Sequence, residues 1–313
     1  MLLLGVGLLL TFSGRSAAQA PTDPSTLPLA QAAFVGVRGT TVAVRCDGTR
    51  RPGDPMVVLV SGQGVPAAAW VAPPPEELQD QVMWRPPFGP DRPVQPALAE
   101  SAYTCVYDRP GLGSSGTLAD ASPRTVADAV EDLHALLGTL SPDHPVLLVG
   151  HSMGGLIAYE YARAHRSRMA GLVLLDATHP DERQRLQWLF PYNAEREAWA
   201  IAQGPEHLDA RDATMRGEGA VPIGGLGDLP LAVLTRTNGF DVPATRLTGM
   251  ENGSVASARW RRDHWALAVE YAAASSRGVL ISANASGHFI AFDQPNLVVS
   301  ATLQVLAMAR TTQ

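Results

Sequence analysis

The sequence predicts an α/β fold, a mostly parallel central sheet flanked by helices, with a small helical cap inserted between residues 180 and 229. Three observations lead there. Runs such as MVVLV and GLVLL are apolar at every position, which suits strands covered on both faces, as in parallel sheets. These runs alternate with segments of helical period, the rhythm of an α/β domain. Of 313 residues, 46% are hydrophobic and 17% charged, a balance that builds a large core and excludes a disordered chain.

The chain opens on an apolar run, Met1 to Phe12, followed by small residues ending in Ala18-Gln19-Ala20. This has the pattern of a secretory signal peptide over residues 1–20, so a secreted or periplasmic, cell-envelope protein is expected. No Lys or Arg precedes the run, and the alternative is an uncleaved N-terminal membrane anchor. After cleavage no stable membrane insertion is expected. A Pro-rich leader at 21–40, beginning PTDPSTLPLA, reads as an extended tail.

The core is then expected over 41–179 and 230–313. Strand chemistry marks Thr41 to Arg45, Met56 to Val60 and Tyr103 to Tyr107. Thr125 to Leu140 reads as a helix, with apolar residues at Val126, Ala129, Val130, Leu133, Leu136 and Leu137. Pro145 to Val149 is a buried strand, Gly155 to His165 a helix, and Gly171 to Leu175 a strand. Leu231 to Leu234, Trp260 to Ala274 and Gly278 to Ser282 read as strand, helix, strand, and Pro295 to Ala309 as a closing helix. Between Pro180 and Leu229 no clear strand is seen. That stretch holds charged helical segments and a Gly-rich tract, and it reads as a cap or as a surface excursion.

The formal net charge is −6, with the basic residues, all of them arginine, scattered, so nothing electrostatic favours nucleic acid or an anionic membrane. No Cys/His cluster has metal-ligand spacing, and neither metal nor organic cofactor is expected. Two cysteines, Cys46 and Cys105, are either a disulfide, as an even count suggests in an exported protein, or two buried thiols.

The strongest chemical signal is Gly150-His151-Ser152-Met153-Gly154, a G-x-S-x-G with a strand directly before it and a helix directly after. That context makes a nucleophile elbow. Gly150 and Gly154 answer the need for small residues where the turn brings backbones together. Ser152 Oγ would project above the carboxyl ends of the strands. The Met153 amide, at the helix N-terminus, would face a developing oxyanion. A serine hydroxyl needs a base, and among eight histidines His288 follows the last strand and precedes the last helix, from where it can reach the elbow. His151 is read as structural and His179 as a residue that could line the pocket. His134, His144, His165, His207 and His264 are read as surface or packing residues. For the acid that orients the imidazole, Asp176 ends the strand GLVLL and Asp241 follows LAVLT on a longer loop. Rigid placement favours Asp176, with Asp241 as the alternative. The loop Ser61-Gly62-Gln63-Gly64 offers the Gln63 amide as second oxyanion donor.

Residues from about Thr41 to Ala309 resemble the α/β-hydrolase superfamily. Four landmarks carry the resemblance: the SGQG loop, the YDRPGLGSS turn at 107–115, GHSMGG, and SGHFIAFDQP. It implies a structural role for Asp108 and Arg109. An Asp at the end of the sixth strand, as in LVLLDATHPD, marks a subgroup and favours Asp176. The chain departs from the family where a common His-Gly is Ser61-Gly62, and where the acidic loop after the seventh strand is RTNGFD. In the family's sheet the second and fourth strands are neighbours, which implies a Cys46–Cys105 cross-strand disulfide.

The implied activity is hydrolysis of a small or medium carboxylic ester, a small-molecule substrate, through a Ser-His-Asp triad and an acyl-enzyme. A serine nucleophile argues against the epoxide hydrolases and haloalkane dehalogenases of the superfamily. Thioesterase, C–C hydrolase, perhydrolase-like and secreted aminopeptidase activities stay open. The last would need Glu195, Glu197, Glu206 and Asp209 as an amine-holding cluster. A non-catalytic binding protein on the same scaffold is the rival of another class. Trp188, Leu189, Phe190, Tyr192 and Trp199 would either form an acyl pocket or pack the cap onto the core.

Overall fold

In the computed structural model, residues 27–73, 92–118, 122–189, 193–237 and 253–311 are described. The expected signal peptide and the alternative acid Asp241 lie outside them. In chain order come β1 (Ala33–Val37), β2 (Thr40–Asp47), β3 (Met56–Val60), α1 (Val94–Ala99) and β4 (Thr104–Tyr107). Then follow α2 (Val126–Leu140), β5 (Val146–His151), α3 (Met153–Ala164), β6 (Met169–Leu175), α4 (Glu182–Arg185), α5 (Ala194–Gln203) and α6 (Arg211–Thr214). The chain closes with β7 (Leu231–Arg236), α7 (Gly253–Ala273), β8 (Gly278–Ala283), α8 (Ile290–Asp293) and α9 (Pro295–Arg310).

The eight strands lie in the order β1-β2-β4-β3-β5-β6-β7-β8. Only the β1–β2 and β2–β4 pairs are antiparallel; β4 through β8 run parallel. Every residue of β3 and β5 is buried, and the alternation of strand side chains divides them between two cores. Met56, Val58 and Val60 pack with Leu133, Leu136 and Leu156 of α2 and α3. Val57 and Leu59 pack with Leu98 of α1 and with Val298, Ala301 and Val305 of α9. The α2 N-terminus is fixed by a reciprocal capping box between Thr125 and Asp128. Pro295 opens α9, where its missing N–H costs nothing.

Two boundaries differ from the sequence reading. The stretch 21–40 is not wholly a tail: Ala33–Val37 pairs with β2 as the edge strand of the sheet, and Leu27 and Leu29 are already buried. AFVGV is apolar throughout although the edge position leaves most of it solvated, and it follows directly on the Pro-rich stretch with which it reads as a tail. The insertion 180–229 is also more integrated than a lid. It does hold α4, α5 and α6, but Leu208, Ala213, Val221, Leu226 and Leu229 join the α2–α3 side of the main core. Leu208 and Asp209 pair in parallel with Arg124 and Thr125.

Cys46 and Cys105 stand opposite each other on β2 and β4 and are bonded. They are 59 residues apart, and closing such a loop stabilises by about 4 kcal/mol on the chain-entropy account.

Candidate active site

Strand β5 ends in Gly150-His151, and α3 begins at Met153. Ser152 must reverse the chain between them, and it does so at φ 53°, ψ −123°, a conformation that costs an L-residue energy and collects at functional turns. The turn is feasible because its flanks are glycine. A Cβ on Gly150 would lie 2.5 Å from Gly154 O, and one on Gly154 would lie 2.3 Å from the carbonyls of Val60 and Ser61. The Ser152 carbonyl accepts from Gly155 N and from Thr178 N, and Ser152 N donates to Leu175 O at 3.1 Å. The elbow is thus tied to the end of β6.

Asp176 follows directly on β6, also at positive φ (41°), with its amide bonded to Leu234 O of β7. Its carboxyl is fully shielded from solvent. His288 sits on the loop after β8, which Asp293 of α8 holds by accepting from Gly287 N at 2.7 Å and Ser286 Oγ at 3.1 Å. His288 Nδ1 donates to Asp176 Oδ2 at 2.6 Å. The backbone of His288 is fixed to the elbow as well: its carbonyl accepts from His151 Nε2 at 2.9 Å, and the two rings lie 4.7 Å apart. Asp176 and His288, singled out in the sequence, are therefore bonded to each other, and the His288 backbone lies against the elbow that carries Ser152.

The acid carries more partners than the sequence suggested. His264 Nε2, on α7, donates to Asp176 Oδ1 at 2.8 Å. Arg236, the last residue of β7, donates its backbone N–H to Oδ1 at 3.3 Å and sets its Nε 3.1 Å from Oδ2. Burial pushes the Asp176 carboxyl up; the charges and donors of His264, His288 and Arg236 outweigh it and hold the group well below the usual carboxylate range. His264, expected as a surface or packing residue, belongs to the site.

The loop Ser61–Val65 is knit from below. Arg109 donates to the Ser61 carbonyl at 2.6 Å and to the Gly62 carbonyl at 2.7 Å, and pairs with Glu206 at 2.5 Å, both buried. Glu206 also accepts from Gly64 N at 2.7 Å, and Gln63 Nε2 donates to Leu208 O. Gly64 N is spent on Glu206 and Val65 N on Gly62 O, so neither amide is left for an oxyanion. Gly62 abuts the elbow: a Cβ there would meet Ser152 Cβ at 3.3 Å. Asp108 anchors the neighbouring turn by accepting from Ala67 N and Ser114 N. Burial pushes its carboxyl up to about 6 against the pull of those two amides. An apolar recess lined by Val65, Ala69, Trp70, Phe289 and Phe292 opens beside Gly62 and His151.

Other expectations come out differently. His179 is fully buried; its Nδ1 accepts from Asp181 N, and it packs on Tyr271, so it does not line an open pocket. Leu189 packs with Ala256 and Trp260 of α7, with Trp188 against them, while Trp199 is 67% exposed. These aromatics do not gather into one pocket; Phe190 and Tyr192 lie outside the described residues. Glu197 pairs with Arg183, Glu206 with Arg109 and Asp209 with Arg211. Among the described residues, no group of three or more His, Cys, Asp or Glu could hold a metal ion.

The buried histidines set a pH dependence of stability. Burial lowers His151 and His179 from 6.5 to about 3. Between these values the unfolded chain binds the protons that the folded chain refuses, so stability falls as pH drops from about 6.5 toward 3. Asp108, raised from 3.8 to about 6, works the other way, because the folded chain takes its proton first as pH drops from 6 toward 4. At pH 5 the two histidines cost about 4 kcal/mol relative to pH 7 and Asp108 returns about 1 kcal/mol. The thermal midpoint is accordingly expected to drop by several degrees from pH 7 to pH 5; a flat or rising midpoint would contradict the neutral buried state of the two rings.

A family model described as alpha/beta hydrolase fold matches residues 80–302. Lipase LipV of Mycobacterium tuberculosis is 34% identical over 104 residues, which is 33% of this chain and 36% of LipV. The chain spans well under half the length of the curated relatives it matches. Among solved structures, the enol-lactonase from Burkholderia xenovorans LB400 is similar with a TM-score of 0.57 at 17% identity, covering 88% of this chain and all of that one. A thermophilic esterase from Thermogutta terrifontis is similar with a TM-score of 0.56 at 19% identity, covering 90% of this chain and 99% of its own.

Proposed function

The chain belongs to the α/β-hydrolase fold family, and from that premise we propose that it is a secreted serine hydrolase that cleaves small or medium carboxylic esters. The observation that carries this reading is the 2.6 Å bond between the shielded Asp176 and His288 Nδ1, made beside a serine in a strained elbow. Because Nδ1 donates to the carboxylate, the neutral ring keeps Nε2 as its acceptor. In the proposed reaction His288 Nε2 takes the Ser152 proton as Oγ attacks the ester carbonyl, and the Met153 and Gln63 amides receive the oxyanion. The imidazolium then protonates the leaving alkoxide. A water activated by the same ring releases the acid and frees Ser152.

The apolar side chains of Val65, Ala69, Trp70, Phe289 and Phe292 beside Gly62 offer a surface for the acyl group to lie against, and the described aromatics of 180–229 do not form one. The aminopeptidase reading loses its support, because three of the four acidic groups it would use are paired with arginines. The disulfide supports an oxidising compartment, and no described helix is long and apolar enough to cross a membrane.

The test is hydrolysis of p-nitrophenyl esters from acetate to palmitate, together with labelling by a fluorophosphonate. Turnover with a short-to-medium optimum and one adduct on Ser152 are expected. A folded protein that neither turns over any ester nor takes the label would overturn the reading.

A further inference from the structure

The acid of a hydrolase triad needs one imidazole, and here Asp176 holds two. His288 Nδ1 occupies Oδ2 and His264 Nε2 occupies Oδ1. Asp176 is ionised and can only accept, so both rings donate. His264 is itself fixed. Its ring stacks on Trp260 at 4.5 Å with the planes 15° apart, and the Arg236 guanidinium lies over the other partner of that stack, 4.6 Å from the Trp260 ring. Trp260 and His264 are four residues apart on α7 and share a face. His264 Nε2 is also 3.2 Å from Thr235 Oγ1. The arrangement runs from β7 through Arg236 and Trp260 to His264 and ends on the carboxylate.

We propose that His264 is a positioning residue for the hydrolytic reaction: by donating to Oδ1 it locks the carboxylate plane of Asp176 so that Oδ2 stays on His288 Nδ1. The inference rests on the proposed serine-hydrolase function. Without His264, Oδ1 keeps only the long 3.3 Å bond from the Arg236 amide; a carboxylate held so weakly can swing and is a stronger base toward the imidazolium, whereas with the short His264 bond in place it orients the ring without taking its proton. His264 contacts Asp176 on the other oxygen from His288, so its effect belongs in turnover and not in substrate binding. The charged and titratable groups that bear on it are Asp176 at the end of β6, Arg236 at the end of β7, His288 on the loop after β8, and Glu182 of α4, whose carboxyl burial pushes up.

The test compares wild type, His264→Leu and His264→Gln on a p-nitrophenyl ester, with fluorophosphonate labelling alongside. His264→Leu is expected to lower kcat about 10–100-fold, as loss of a hydrogen bond to a charged group does, with KM unchanged. Without the second donor, Asp176 attracts the His288 proton more strongly, so the acid limb of the kcat/KM profile moves up by about half to one pH unit. Gln carries an N–H at the place of Nε2, so His264→Gln is expected to restore the limb and most of kcat. A packing role alone would weaken folding and leave the limb in place. Should His264→Leu fail to fold, proton NMR of the wild-type protein decides. Two strongly deshielded imidazole N–H resonances are expected, one lost in His288→Ala and the other in His264→Gln. Wild-type turnover with an unshifted limb and unchanged kcat in His264→Leu, or a single deshielded resonance, overturns the role of His264. Absence of wild-type turnover and labelling overturns the hydrolase reading instead.

Discussion

Replacing Ser152 by alanine is expected to lower kcat on the preferred ester by about 10⁵–10⁶-fold, the scale at which a serine triad loses its nucleophile. No neighbour can substitute. Met153 is buried at the first turn of α3, and His151, next in sequence, points its Nε2 to the His288 carbonyl. What survives is the oxyanion donors and substrate binding, which speed attack by water alone by about 10³–10⁴-fold over solution. KM is expected to hold, since Oγ contributes little to ground-state binding, and alanine fits the same turn, so the thermal midpoint should not fall. Steady-state assays on purified protein settle it: a loss below tenfold would assign the reaction to another group.

The second large effect belongs to the acid. Asp176→Asn is expected to lower kcat by about 10⁴-fold, equivalent to about 5.5 kcal/mol in the barrier. An amide keeps the shape but offers one oxygen where two imidazoles and Arg236 converge. Its NH₂ must then face a donor, which turns a ring or breaks its bond. The same change removes the charge that offsets Arg236, and breaking such a buried pair costs about 3–5 kcal/mol of stability. Kinetics and thermal melts on Asp176→Asn and Asp241→Asn separate the two candidates. Near-normal turnover in Asp176→Asn with collapse in Asp241→Asn would reverse the assignment.

The central strands were legible because burial on both faces leaves nothing but apolar residues, as in MVVLV and VLLV. The elbow was legible because its glycines are forced by contacts under 3 Å. Long-range pairing of charged residues was not. Glu206 was weighed as one of an amine-holding cluster, yet it is buried against Arg109, 97 positions away. His264 read as a surface or packing residue because a single histidine on a helix resembles any other polar one. Its signal was Trp260 one turn before it, on a helix entering the strand that precedes His288. β1 was missed although AFVGV is apolar throughout: it follows directly on the Pro-rich stretch and reads with it as a tail, and nothing in the sequence shows that Phe34, 63% exposed, lies on a sheet edge.

The Cys46–Cys105 bond has a bearing on how the molecule withstands proteolysis. The segment it encloses carries β3, the SGQG loop and α1, so a protease cut anywhere in that segment releases no fragment. The clipped chain remains one covalent particle, with its sheet partners still registered, and breakage at that point becomes complete only in a reducing milieu.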